Sequence, residues 1–221
     1  MDLFLIILIL IIPLVADINV KNTYKKYLNI KNNKSITGQE VARMILDKNG
    51  LQDVYVVETK GYLSDHYDPK RKVVRLSKSV YEGESVASIA IAAHECGHAI
   101  QDKEGYSYMK FRSAIFPIVN IATSISYYII LIGFLLEILD VIYLGIGFSL
   151  LGLLFQIITL PVEFNASFRA KDQLNKLHIV NPNESTGVEK VLKSAALTYV
   201  AGVLASAIQI LRLILAVNNR D

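Results

Sequence analysis

Four stretches of the chain are apolar and nearly free of charge, and they alternate with stretches that hold almost all of its charged residues. The apolar stretches are Leu3–Ala16, Ile115–Leu136, Val141–Val162 and Ala195–Val217. The last three are long enough, as helices rising about 1.5 Å per residue, to cross a hydrocarbon core of roughly 30 Å. The first is short and contains Pro13, and extending it through Asn19 nearly closes the gap. It reads as an uncleaved anchor: Asp2 is negative, and no small-residue cleavage pattern follows it. Arg212 lies near the end of the last stretch, where a long cationic side chain reaches the interface cheaply.

Between the first two apolar stretches, the period of the pattern changes. Thr37 or Ser35 caps a helix whose apolar face holds Val41, Ile45 and Leu46, and Asn49-Gly50 ends it. Val54–Glu58 and Val73–Leu76 are β-branched and predict strands, with a polar loop, Leu63–Pro69, between them. Ser85 caps a helix running from Val86 to about Asp102. Asn181-Pro182-Asn183 breaks the polar segment that follows Val162. No internal repeat interrupts this order. The expected fold is a mainly α membrane protein with about four transmembrane helices and a small α+β cytoplasmic zincin-like domain.

Composition narrows the function classes. Hydrophobic residues make up 52% of the chain, and net charge is +3. The basic residues form no dense stripe, which argues against a nucleic-acid partner. Cys96 is the one cysteine, so no intramolecular disulfide can form. Trp is absent, which leaves interfacial anchoring to Tyr, Lys and Arg. Lys21, Lys25 and Lys26 follow the first apolar stretch, Lys110 and Arg112 precede the second, and Arg169 and Lys171 follow the third. The turn at 137–140 has neither Lys nor Arg. Positive flanks stay inside. The organisation that follows is an anchor over 1–19, a cytoplasmic part over 20–112, a transmembrane hairpin over 113–162, a cytoplasmic segment over 163–194 and a last span over 195–217. The C-terminus would then lie outside, which Arg220 weakly opposes.

The candidate chemistry sits in Ala92–Ala99. His94 and His98 are four apart, so a helix projects both imidazoles from one face within reach of one ion. Glu95 is offset from them and can reach a water on that ion, which is the H-E-x-x-H arrangement of zinc hydrolases. Such an ion lowers the pKa of its water and polarises the scissile carbonyl. Glu95 would take the proton and pass it to the leaving amine. The flanking Ile89, Ala92, Ala93, Ala99 and Ile100 mark a packed helix rather than a solvated one, and Gly97 permits close approach by another backbone. A catalytic zinc, one per chain, needs a third protein ligand. Glu163 is the candidate, because a two-span hairpin returns the chain to the side that holds His94. The alternative is an interfacial carboxylate paired with Arg169. His66, in the polar loop, is a candidate donor to the oxyanion, the alternative being a turn shaped by Pro69. His178 reads as a surface residue and Cys96 as a packing residue. Tyr127 and Tyr128 are expected to be buried in a span, and Thr123, Ser124 and Ser126 to bond helix backbone or a neighbouring span.

The segments Ala93–Gln101, Leu160–Ser167 and Leu63–Pro69 resemble, in order and over nearly the whole chain, those of the YugP-type neutral zinc metallopeptidases of bacterial membranes. The resemblance implies zinc ligands at His94, His98 and Glu163, a general base at Glu95, and a bacterial plasma-membrane location. The family is also similar to HtpX-type membrane proteases, which usually carry an acidic residue where this chain has Ser167. The expected function is a membrane-bound zinc metalloendopeptidase, its active site facing the cytoplasm, acting on unfolded or membrane-associated polypeptides. A site-2-type intramembrane protease fits less well, because Asp102, Lys103 and Glu104 follow the motif closely. A non-enzymatic zinc-binding membrane protein is the remaining alternative. Oligomeric state is not legible.

Overall fold

The computed structural model describes residues 2–218. Arg220, which bears on the side of the C-terminus, lies outside them. In chain order the elements are α1 (Asp2–Leu28), α2 (Gly38–Lys48), β1 (Tyr55–Thr59), β2 (His66–Asp68), β3 (Val73–Ser77), α3 (Lys78–Tyr81), α4 (Val86–Glu104), α5 (Ser107–Leu136), α6 (Leu139–Lys176) and α7 (Pro182–Asn218). Helices α1, α5, α6 and α7 are long and apolar enough to cross a membrane. The chain is thus mainly helical, with one small sheet.

It divides into two compact units. One comprises residues 18–109 and 162–197. Its sheet has the order β1-β3-β2, with β1 parallel to β3 and β2 antiparallel on the other edge. Helix α2 starts with a full capping box: Thr37 Oγ1 accepts from the Glu40 N–H, and the Glu40 carboxylate accepts from the Thr37 N–H. Helix α4 is capped by Ser85, whose Oγ accepts from the Ser88 N–H at 3.0 Å. It stops at Gly105, whose φ of 66° is the left-handed conformation glycine takes freely. The core gathers Ile45, Leu46, Val74, Leu76 and Ile89, all fully buried, around α4. The other unit comprises residues 2–17, 110–161 and 198–218. In it α5 and α6 pack closely, and a Cβ on Gly133 would lie 2.8 Å from the Ile142 nitrogen. Ser126 Oγ donates to the Gly145 carbonyl at 2.9 Å, while Thr123 and Ser124 donate to carbonyls one turn back on α5.

Several elements depart from the sequence reading. The change from apolar to polar sequence does not end a helix. α1 runs nine residues past Asn19, to Leu28, because Tyr24 and Tyr27 reach the core of the first unit (1% and 9% exposed). α6 continues past Glu163 because Ala166, Ala170 and Leu174, at four-residue spacing, are all buried. α7 starts at Pro182 for the same reason, with Val188, Val191 and Leu192 packed inward. The polar loop contains β2, a strand of three residues with one inward side chain, Tyr67, too short to show alternation. Tyr127 and Tyr128, expected to be buried, are 67% and 61% exposed and meet edge to face. They lie on the outward face of α5.

Candidate metal centre

Within the first unit, α4 and the second half of α6 approach at Gly97. A Cβ there would stand 2.6 Å from the Ala166 carbonyl oxygen, nearer than any side chain tolerates. Gly97 lies between the two motif histidines, and Ala166 lies three residues past Glu163. The contact therefore draws the His94–His98 face of α4 onto Glu163.

The result is a three-residue cluster. His94 Nε2 lies 3.4 Å from Glu163 Oε2, and His98 Nε2 lies 3.5 Å from the same oxygen. One ligand atom from each of the three residues falls within 4.8 Å of the others. The imidazole planes are nearly perpendicular, at 84°. Four donors set tetrahedrally about 2.0–2.1 Å from a zinc ion stand about 3.3–3.4 Å apart, so the two measured separations match edges of that tetrahedron. Two imidazoles and a carboxylate are also a donor set that catalytic zinc accepts. Glu163 is 2% exposed and His98 9%, while the His94 side chain keeps 15% of its surface. Arg169, the alternative partner for Glu163, pairs instead with Glu104 at 2.7 Å and donates from Nε to Asn165 Oδ1.

Both imidazoles are fixed from behind. Gln101 Nε2 donates to the Val162 carbonyl at 2.8 Å and to Asn165 Oδ1 at 3.0 Å. That leaves Gln101 Oε1 facing His98 Nδ1 at 3.0 Å, so Nδ1 carries the proton and Nε2 points its lone pair into the cluster. Ser167 Oγ lies 3.2 Å from His94 Nδ1 and can accept from it in the same way. From the sequence Gln101 has no assigned role, and Ser167 stands only as the residue where HtpX-type proteins usually carry an acid. The signal that finds them is helical spacing: Gln101 is one turn past His98, and Ser167 one turn past Glu163.

Glu95 is 7% exposed and makes no hydrogen bond among the described residues. Burial raises its carboxyl above the ordinary glutamate range; the histidines oppose that, and the charges of Glu163 and Asp65 add to it. Burial alone would lower His98, but its contact with Glu163 and the nearby carboxylates leave it raised. Asp65 is raised by burial and accepts from the Ser77 N–H and hydroxyl. His66, beside it on β2, is exposed, with Nδ1 2.8 Å from the Ser64 carbonyl, and among the described residues it forms no hydrogen bond or ion pair with the cluster. Cys96 is fully buried against the Ala42 carbonyl. His178 is exposed and has a φ of 50° just beyond the end of α6.

A family described as "Putative neutral zinc metallopeptidase" matches residues 2–218. The chain belongs to that family. Among its relatives, the "Putative membrane protease YugP" of Bacillus subtilis (strain 168) is 46% identical over 220 residues, covering 99% of this chain and 98% of that protein. No solved structure matches. Family membership implies zinc, and the His94–His98–Glu163 cluster is a group of donors suited to it. Four membrane-length apolar helices and a relative named as a membrane protease mark a membrane protein.

Proposed function

We propose that this protein is a membrane-bound zinc metalloendopeptidase with His94, His98 and Glu163 as the metal ligands and Glu95 as general base. The observation that carries this reading is the spacing of two imidazole nitrogens around one carboxylate oxygen, 3.4 and 3.5 Å, at tetrahedral-edge distances. Zinc held there supplies Lewis acidity toward a water molecule and toward the scissile carbonyl. Glu95, without a hydrogen-bond partner and beside both histidines, accepts the proton of the attacking water and returns it to the leaving amine. Burial makes it a stronger base than an exposed glutamate. Gln101 holds His98 in the tautomer that ligates, and Ser167 positions the ring of His94.

Strand β2 is an edge of the sheet, packed against α4 and tied to it by the Tyr67 hydroxyl, which donates to Asp102 at 2.8 Å. An extended polypeptide can add to such an edge through its backbone, which suits unfolded or membrane-associated substrates. His66, exposed on that strand, is the proposed donor to the oxyanion. The zincin-like unit faces the cytoplasm of a bacterial plasma membrane in this reading, supported by Lys21, Lys25, Lys26, Lys110, Arg112, Arg169 and Lys171 beside the spans.

The test is cleavage of casein by the purified full chain in detergent, wild type against Glu95→Gln. The expected outcome is cleavage by wild type and a loss of at least roughly 100-fold in the variant, with zinc content unchanged. Equal cleavage by both would remove Glu95 from the mechanism, and no cleavage by either, with zinc bound, would favour a structural metal.

A further inference from the structure

A concavity of about 290 Å³ lies between α1 and α7 within the unit of residues 18–109 and 162–197. Lys26 of α1 and Lys190 and Lys193 of α7 line it, together with Thr23 and Asn19, and no carboxylate does. None of the three lysines forms an ion pair among the described residues. Glu189, the acid next to them in sequence, is paired with Lys171. The concavity therefore holds three cationic groups that form no ion pair among the described residues, with Glu189, already paired with Lys171, the acid near Lys193.

Tyr27 completes the wall. It is only 9% exposed, and its ring is held in place: a Cβ on Gly187 would come within 2.8 Å of it. Lys26 Nζ stands 5.7 Å from the ring centroid. The Tyr27 hydroxyl makes no hydrogen bond among the described residues, and Tyr27 lines the concavity. A phenol donor beside three ammonium groups is a set that recognises an oxyanion, a phosphate above all.

The place of the concavity in the sequence selects the source of that phosphate. Asn19 to Tyr27 directly follow the first apolar run, and Lys190 and Lys193 directly precede the last. Both walls thus belong to the segments where chain meets headgroups, and Leu197 adds an apolar contact at the start of the last run. On these grounds we infer that the concavity is a binding site for the headgroup phosphate of an anionic phospholipid. Each lysine contributes electrostatic attraction to such a lipid, worth about a five-fold change in affinity.

The experiment is a thermal-shift titration of the purified full chain in neutral detergent with three probes: short-chain phosphatidylglycerol, short-chain phosphatidylcholine and inorganic phosphate. The site predicts a saturable rise in Tm with phosphatidylglycerol alone. Apparent affinity should weaken about five-fold for each of Lys26→Gln, Lys190→Gln and Lys193→Gln, and hold in the triple Lys→Arg variant. Tyr27→Phe should weaken it without changing charge. An equal rise with phosphatidylcholine would mean a general lipid effect, and an equal rise with inorganic phosphate would mean a free-phosphate site. Unchanged binding in the triple Lys→Gln variant, or in Tyr27→Phe, would also overturn the inference.

Discussion

His98 does not choose its own tautomer. Gln101 is anchored at its amide nitrogen by Val162 and Asn165, so its oxygen fixes His98, and Ser167 stands in the matching place for His94. Groups that orient metal-ligating histidines typically contribute 10–100-fold to metal affinity. Gln101→Ala and Ser167→Ala should therefore each weaken zinc by about that factor in a chelator competition, with the Tm of the zinc-free protein little changed for Ser167→Ala. A zinc affinity equal to wild type in both would show that the imidazoles need no such support. The ligating pair itself was legible because two histidines four apart admit one helical geometry. Their supports were not, since Gln101 and Ser167 acquire meaning only once α6 lies against α4.

Helices α4 and α6 reach that approach by omitting one side chain. Gly97→Ala would place a methyl group 2.6 Å from the Ala166 carbonyl oxygen, a backbone atom that cannot rotate away. Overpacking of this kind costs about 1–3 kcal/mol. The expected result is a lower Tm together with loss of zinc, because the helices that carry the ligands are pushed apart. A variant that keeps both would mean that the close approach is incidental. The sequence marked the start and stop of α4 and α2 well, since Ser85, Thr37, Gly105 and Asn49-Gly50 act locally. It marked the ends of α1, α6 and α7 poorly. Those helices carry charged outer faces through Lys21, Arg169 and Lys190 while burying Tyr24, Ala170 and Val188. Tertiary packing, which no local propensity reports, keeps them helical. Strand β2 escaped for the opposite reason: three residues pairing with β3 through backbone alone leave no periodic signal.

At the scale of the whole chain, the four apolar runs were legible from charge alone, and each lies in a membrane-length helix. The polar sequence between them is not a set of separate loops, since the same helices continue into the unit that carries the cluster. That continuity is how a glutamate 65 residues beyond His98 comes to share its site. In the proposed site these distant residues hold one ion, which zinc counted per chain decides. Measured by elemental analysis after removal of loose metal, wild type and Glu95→Gln should each retain about one zinc, and Glu163→Ala should retain almost none. Full occupancy in Glu163→Ala would contradict the account, because the carboxylate that α6 delivers to His94 and His98 would then not be a ligand.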